Sequence, residues 1–306
     1  MMLSVVTTVY RSEAYLPEFL DQVLGALKEV ECREFELVFV LDGITDFSRE
    51  WLLEKQPEVA QIKVIELSRN FGHHAAISAG LHQAKGDLVF LIDCDLEVPP
   101  KVLVDFMSLS RSTQADVVYG VQQKRKGGFF EKRMGGLFWR LFNLLSNIKV
   151  PPNTVTERLM TRSYVNALLA MGDKNLFLAG MMHWVGFTQV PCTVHKGQRE
   201  GKSTYTFCKR MDLLLEAVLS FSDKPIRWMF FTGIVFLLVS LGALVGLVPK
   251  MILDEGATTG WFTLYAFLFF CLGSVLSGLG LIGMYAAKIA NQVKNRPLYW
   301  IKKVYP

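Results

Sequence analysis

The chain has 306 residues, 51% of them hydrophobic, and a formal net charge of +5 at pH 7. This length allows one large or two modest domains, and the small positive charge, without a basic stripe interleaved with aromatic residues, argues against a nucleic-acid-binding protein. The five cysteines form no C-x-x-C pair, so a cysteine metal site is excluded and a reducing compartment is favoured.

The first part of the chain alternates strand-like and helix-like patterns. The predicted strands are Leu3 to Val9, Phe35 to Leu41, Ile62 to Glu66, Asp87 to Asp93 and Asp116 to Val121, and the predicted helices are 14–29, 47–55 and 73–84. This βαβ rhythm predicts an α/β fold with a mostly parallel sheet and helices on both faces. The turn after the first strand has no glycine to admit a pyrophosphate, which argues against a nicotinamide-dependent oxidoreductase.

Three acidic residues follow the fourth predicted strand. In extended backbone, residues at i, i+2 and i+4 project to one side, so Asp93, Asp95 and Glu97 are expected to share a face. Carboxylates gathered at a strand end repel one another unless a cation lies between them. Their hard oxygen atoms favour Mg²⁺ or Mn²⁺, which usually share their coordination with substrate phosphates. A solvated acidic turn is the alternative interpretation.

Two long stretches carry no charged residue. They are Trp228 to Val248, with 21 residues, and Trp261 to Ala287, with 27. An α-helix needs about 20 residues to cross a hydrocarbon core, and soluble helices of this length rarely lack a polar stripe. The sequence therefore predicts a two-helix transmembrane domain at 226–288. Basic residues crowd its two flanks, which predicts that both termini are cytoplasmic, and nothing at the start resembles a signal peptide.

The bounds of the predicted transmembrane domain define the regions on either side of it. A cytosolic domain is predicted at 1–225 and a cytosolic tail at 289–306. Within the domain, segments 129–148 and 205–222 mix basic and aromatic residues at helical spacing, which predicts interfacial helices, although helices packed on the sheet are the alternative. Small residues along the second membrane helix would permit close contact and are compatible with a homo-oligomer: Gly273, Ser277, Gly280 and Gly283.

Several motifs together resemble a known family. SVVTTVYRSE, FVLDGITD, LSRNFGHHAAISAG, IDCDLEVPP, WVGF and a late R-x-G-x-S-x-Y, followed by two apolar stretches, are similar to the family-2 glycosyltransferases that make polyprenyl-phosphate sugars. The resemblance implies a GT-A-like fold and the inverting transfer of a sugar, with a UDP-sugar favoured as donor. The acceptor would be a polyprenyl phosphate of the undecaprenyl type on the cytosolic leaflet of the bacterial inner membrane.

The resemblance also assigns roles to individual residues. Asp93 and Asp95, with Glu97 where the family usually has Gln, would hold Mg²⁺ or Mn²⁺ on the donor diphosphate. The nucleotide would be bordered by Thr8, Tyr10, Glu13, Asp42, Arg69 and Asn70. Arg158 would bind phosphate during catalysis, and the loop that contains Arg199, Ser203 and Tyr205 would bind the lipid phosphate.

The chain departs from the family pattern at three motifs. Leu41-Asp42 replaces a pair of Asp, Val155-Thr156-Glu157 replaces a Gly-Asp motif, and Ser203-Thr204-Tyr205 replaces Ser-Lys-Tyr. The Asp often proposed as general base is therefore missing, and Glu157 is the candidate replacement. A phosphate monoester is largely deprotonated at neutral pH and needs little help as a nucleophile. The adjacent His73 and His74 are expected to pack or cap a helix rather than bind a metal.

Two other functions are weighed against this hypothesis. A processive polysaccharide synthase would need a Q-x-x-R-W motif and more membrane helices, and the sequence contains neither. A non-catalytic membrane scaffold, or a nucleotide-binding pseudoenzyme with a degenerate GT-A site, is supported by the missing Asp at position 156. The retained acidic residues oppose that alternative, and a turnover assay separates the two.

Overall fold

The computed structural model describes residues 1–122, 143–145, 149–174, 177–197, 222, 224–236, 238 and 260–306. Its strands are β1 (Leu3–Val9), β2 (Phe35–Leu41), β3 (Ile62–Leu67), β4 (Leu88–Leu91), β5 (Val117–Gln122), β6 (Thr154–Thr161), β7 (Gln189–Val194) and β8 (Ile301–Tyr305). Its helices are α1 (Leu16–Glu29), α2 (Ser48–Lys55), α3 (His73–Gln83), α4 (Val102–Thr113), α5 (Arg162–Ala170), α6 (Leu178–Trp184) and α7 (Gly260–Val293). The predicted interfacial helices at 129–148 and 205–222 lie almost entirely outside the described residues.

The strands form one eight-stranded sheet in the order β7-β5-β6-β4-β1-β2-β3-β8. Strands β4, β1, β2 and β3 are parallel, which confirms the predicted α/β fold. Their apolar side chains alternate between two buried layers. Val5 and Phe39 pack in the layer that contains α1 and α4, whereas Val6 and Val38 pack in the layer that contains α3 and α5. The sheet is therefore covered on both faces, as expected for parallel strands.

Two antiparallel strands were not predicted from the sequence. β6 pairs with β4 on one side and β5 on the other, with Arg158 opposite Leu91. β8 pairs with β3 at the edge of the sheet, where Ser68 N donates to Trp300 O at 2.9 Å and Lys302 Nζ lies 2.6 Å from Glu66 Oε1. The residues after α7, predicted as a tail, thus complete the sheet.

Within α7, the segment Phe270–Val293 is long and apolar enough to cross a membrane by length and composition. It is the one such helix in the described part of the chain, and only 6% of its most apolar window is buried. Of the first predicted membrane helix, the structure describes a helical segment at 224–236 and residue 238. The end of α7 contacts the sheet domain, because Gln292 Oε1 accepts a hydrogen bond from Lys174 N at 3.0 Å.

Gly80 determines how closely α3 approaches the sheet. A Cβ at this position would lie 2.5 Å from Val6 Cγ1 and 3.0 Å from Val40 Cγ2, both of them buried. We expect Gly80→Ala to lower the free energy of unfolding by about 1–3 kcal/mol, because the added methyl group overpacks this interface. Denaturant titration of the detergent-solubilised protein measures the change.

Gly25 in α1 provides the matched control, since a Cβ there would meet nothing within 4 Å. Gly25→Ala should raise the free energy of unfolding by roughly 0.5–1 kcal/mol through helix propensity alone. Shifts of the same sign and size in the two variants would contradict the close packing of α3.

Candidate functional site

The carboxyl ends of β1, β2, β3 and β4 meet at one edge of the sheet because these strands are parallel. Ligands of open α/β sheets bind at this kind of edge. Most of the site residues predicted from the sequence lie at the ends of these strands or shortly after them: Thr8, Tyr10, Glu13, Asp42, Arg69, Asn70, Asp93 and Asp95. The topology therefore brings them to the same edge, and individual contacts decide what each can do.

Asp93, Asp95 and Glu157 form an acidic cluster at this edge. Glu157 enters it from β6, which runs antiparallel beside β4. The Glu157 side chain is 3% exposed, and its Oε2 has no hydrogen-bond partner among the described residues. Burial raises the pKa of Glu157 to about 8, and the negative charges of Asp93 and Asp95 add to this effect. Burial also raises the pKa of Asp93, against the lowering influence of His73. The positive charge of Lys196 lowers the pKa of both Glu157 and Asp93, but burial outweighs it and both pKa values remain raised.

His73 contacts this cluster, which differs from the expected packing or capping role. It is the first residue of α3, with Nε2 3.5 Å from Asp93 Oδ1 and Nδ1 3.1 Å from Thr8 Oγ1. The Thr156 side chain forms a further hydrogen bond to Asp93. The sequence prediction concerned His73 and His74 together, because they are adjacent. The feature that could have identified His73 as a site residue is its position as the first residue of a helix that begins at the carboxyl edge of the sheet.

The backbone between Asp95 and Glu97 is not extended, contrary to the assumption that placed the two side chains on one side. Leu96 has φ +58, and Asp95 Oδ1 accepts a hydrogen bond from Glu97 N at 3.1 Å, so the chain bends immediately after Asp95. The Glu97 carboxylate forms an ion pair with Lys196. Burial lowers the pKa of Lys196, but the hydrogen bond and charge of Glu97 outweigh it and raise the pKa. Lys196 also interacts electrostatically with Asp95 and Glu157, so Glu97 lies beside the acidic cluster, and its role as a metal ligand stays a prediction.

The predicted metal site is only partly assembled. In the described ranges, no three His, Cys, Asp or Glu side chains are arranged as a complete metal site. The residues nevertheless fit a hard divalent cation, because the cluster offers only carboxylate oxygens and one of them, Glu157 Oε2, is buried without a partner. Glu157 is the acidic residue near Asp93 that the strand-end motif alone did not reveal.

The carboxylate of Asp42 is hydrogen-bonded to the backbone, and its expected contact with a nucleobase stays a prediction. Asp42 is 3% exposed, and its carboxylate accepts hydrogen bonds from Phe71 N at 2.7 Å and Gly72 N at 3.0 Å. The following Gly43 has φ +68, and a Cβ there would lie 2.3 Å from Asn70 N. The predicted nucleobase acceptor thus fastens the segment before α3 to the end of β2.

Arg158 is buried, and its expected role at a phosphate stays a prediction. Successive strand residues face opposite sides, so Arg158 and Glu157 point into different layers. Arg158 is 1% exposed, and its guanidinium lies 5.7 Å from the centre of the Tyr119 ring. Burial lowers its pKa, and Tyr164 hydrogen-bonds to it.

The other predicted nucleotide residues remain accessible at the edge. Arg69 is exposed and stacks 4.1 Å from the centre of the Phe71 ring, while Tyr10 is exposed beside Arg11. Glu13 Oε2 accepts a hydrogen bond from Phe47 N at 3.2 Å. The predicted lipid-phosphate residues Arg199, Ser203 and Tyr205 lie outside the described residues.

The chain is similar in sequence to several known proteins. The model of the family described as glycosyl transferase family 2 matches residues 4–169. The Bacillus subtilis protein named uncharacterized glycosyltransferase YkcC is 35% identical, over 99% of this chain and 94% of its own. The undecaprenyl-phosphate 4-deoxy-4-formamido-L-arabinose transferase of Yersinia enterocolitica is 31% identical, over 98% of this chain and 93% of its own. The solved structure of S. aureus TarS with UDP-GlcNAc aligns at 19% identity and a TM-score of 0.46, over 73% of this chain and 68% of that one.

The contacts of Asp42 predict a structural effect of its removal. Asp42→Ala leaves two buried backbone N–H groups without their charged acceptor, so we expect the free energy of unfolding to fall by about 2–4 kcal/mol. Thermal unfolding without nucleotide measures this loss. The control is Asp21→Ala on the exposed side of α1, expected to change stability by less than about 0.5 kcal/mol. An unchanged melting temperature for Asp42→Ala would show that the carboxylate does not hold this segment.

The raised pKa of Glu157 predicts a pH-dependent stability. Between its ordinary value of 4.5 and about 8, the folded protein keeps a proton on Glu157 that the unfolded chain has lost. Stability therefore falls as the pH rises through this window, by at most about 1.4 kcal/mol per pH unit. Glu157→Gln removes this term, so its melting temperature should increasingly exceed that of the wild type from pH 5 to pH 8.

The control for this measurement is Glu54→Gln, a substitution of the same type at an exposed position of α2. It should leave the pH profile of the melting temperature unchanged. Parallel profiles for Glu157→Gln and the wild type would show that burial does not perturb Glu157.

Proposed function

Because the chain belongs to glycosyl transferase family 2, we propose that it transfers a sugar, with inversion, from a nucleotide-sugar to a polyprenyl phosphate. The lipid-phosphate oxygen attacks the anomeric carbon from the face opposite the leaving nucleoside diphosphate, and the product is a polyprenyl-phosphate monosaccharide. The similarity to undecaprenyl-phosphate transferases along nearly the whole chain supports an undecaprenyl-type acceptor. A UDP-sugar is the proposed donor.

The observation that carries this proposal is the acidic cluster at the carboxyl edge of the sheet. Asp93 and Asp95 would hold Mg²⁺ or Mn²⁺, with the unpartnered oxygen of Glu157 close to them. When bound, such an ion neutralises the charge that develops on a leaving diphosphate. The crowding of carboxylates, which His73 and Lys196 balance only in part, supports a cation at this position.

The neighbouring side chains have roles that follow from their positions. Glu157 is the proposed proton acceptor, because a pKa of about 8 lies near the operating pH, where a general base works best. His73, at the positive end of the α3 dipole, is placed to orient Asp93 and to favour an anionic donor. Thr8, Tyr10, Glu13, Arg69 and Asn70 are proposed to border the nucleotide, and Arg199, Ser203 and Tyr205 to bind the lipid phosphate.

The pairing of β8 with β3 supports a two-helix membrane anchor. Residues 301–305 and 62–67 belong to one sheet, so the chain before the apolar stretches and the chain after α7 lie on the same side of a bilayer. The number of crossings between them must then be even. If α7 supplies one crossing, the apolar stretch 228–248 is the proposed second. The basic flanks favour a cytoplasmic sheet domain in the bacterial inner membrane.

A transfer assay tests the proposal. Purified protein is incubated with undecaprenyl phosphate, Mn²⁺ and a panel of labelled nucleotide sugars, and the lipid phase is extracted. We expect label from one donor to appear in the lipid phase and a chelator to abolish this. Nucleotide binding without transfer from any donor would instead favour the non-catalytic scaffold.

The metal assignment predicts a strong effect of Asp95→Asn. This variant should lose turnover by about 100-fold or more, because the leaving diphosphate loses its stabilisation, while nucleotide binding remains measurable. The control is Asp105→Asn on the exposed side of α4, expected to keep normal turnover. Wild-type turnover by Asp95→Asn, or full activity in chelator, would contradict the assignment.

A further inference from the structure

The side chain of Gln292 joins the carboxyl end of α7 to the sheet domain. Its Oε1 accepts a hydrogen bond from Lys174 N at 3.0 Å, and its Nε2 donates one to Gly172 O at 3.3 Å. The amide therefore spans residues 172–174, the docking turn, which follows α5. Gly172 has φ +63, a left-handed conformation that glycine adopts without strain, so the chain can turn sharply here.

Lys288 lies on the same face of α7 as Gln292, because the two residues are four positions apart on one helix. Burial raises the pKa of Asp173 in the docking turn, and the positive charge of Lys288 opposes this effect. Lys288 is therefore close enough to attract the Asp173 carboxylate. The same face of α7 thus engages the docking turn through two hydrogen bonds and through charge.

A second attachment joins α7 to the sheet domain at a different place. Residues 294–300 lead from the end of α7 to β8, which pairs with β3 at the edge of the sheet. The docking turn instead follows α5, which packs against β4 and β6. In the order of the sheet, four strand spacings separate β4 from β8, which is about 19 Å. Two attachments this far apart fix an orientation, whereas the attachment through β8 alone would leave a pivot.

We propose that Gln292 is a positioning residue, which sets the orientation of the sheet domain relative to the bilayer. Gln292 is the next to last residue of the segment that is long enough to cross a membrane, so it would lie at the membrane surface. α5 begins at the amino edge of the sheet, where Arg162 N donates to Asp87 O, and runs back towards the carboxyl edge. The docking turn would therefore hold the edge with the acidic cluster at a set distance from an acceptor phosphate in the bilayer. This inference rests on the proposed function.

This role predicts different effects on two acceptors. Gln292→Ala removes both hydrogen bonds, so kcat/KM for undecaprenyl phosphate in bilayer nanodiscs should fall by about tenfold, because the two reactants are no longer held in position. A short, water-soluble prenyl phosphate reaches the site from solution, so its kcat/KM should stay within about twofold of the wild type. The matched control is Asn291→Ala, which removes an amide from the preceding, exposed position of α7 and should change neither constant.

A structural defect that is unrelated to the bilayer would lower transfer to both acceptors. Equal losses for both acceptors, in a variant that unfolds at the wild-type temperature, would therefore overturn the positioning role, and so would unchanged transfer to both. If Gln292→Ala does not fold, Gln292→Glu decides the question. It keeps an acceptor for Lys174 N but loses the donor to Gly172 O, so we expect a smaller loss that is again confined to the membrane acceptor.

A second readout does not require turnover. A fluorescent amino acid in place of Glu54, at an exposed position of α2, and a dye on the lipid headgroups report the distance of the sheet domain from the bilayer by energy transfer. We expect Gln292→Ala to broaden the distribution of transfer efficiencies in single molecules, and Asn291→Ala to leave it unchanged. A broadened distribution together with a wild type that transfers no sugar to either acceptor would overturn the proposed function but support the positioning role. The same distribution in all variants would overturn the positioning role.

Discussion

The close approach of three carboxylates at one edge of the sheet is the constraint on which the site depends. Asp93 and Asp95 follow a parallel strand, and Glu157 comes from the antiparallel strand beside it, so the sheet brings the three groups to one edge, where they interact electrostatically. Burial of such groups costs stability unless they are neutralised. The packed layers on both faces of the sheet offset this cost. Under the proposed function, the negative charge would attract a divalent cation, and the cation would in turn bind the anionic donor.

Two adjacent residues of β6 lie in different environments. Glu157 belongs to the acidic cluster, whereas Arg158 is buried in the layer behind the sheet with Tyr119 and Tyr164. Alternation along β6 separates them, although both occur in one short motif. Asp42 is similar, because its place at the edge suggests a ligand contact but its carboxylate holds backbone N–H groups. Proximity to the site therefore does not by itself identify a binding residue.

Much of the sheet could be predicted from the sequence. β1 and β2 were predicted with the observed bounds because buried parallel strands are continuous apolar runs. β6 and β8 mix charged and apolar residues, and only their long-range partners make them strands. The edge position of Asp93 followed from topology alone. The orientation of Glu97 did not, because it depends on a left-handed Leu96 and on Lys196, which is distant in sequence.

β3 obtains its partner strand β8 only late in the synthesis of the chain. The ribosome makes β3 long before β8, and both apolar stretches are translated in between. Until then the outer edge of β3 has unpaired backbone groups, which are a template for aggregation with other nascent chains. The edge is closed only when the residues after α7 emerge. The outer edge of β3 is therefore the last part of the sheet that can pair during synthesis.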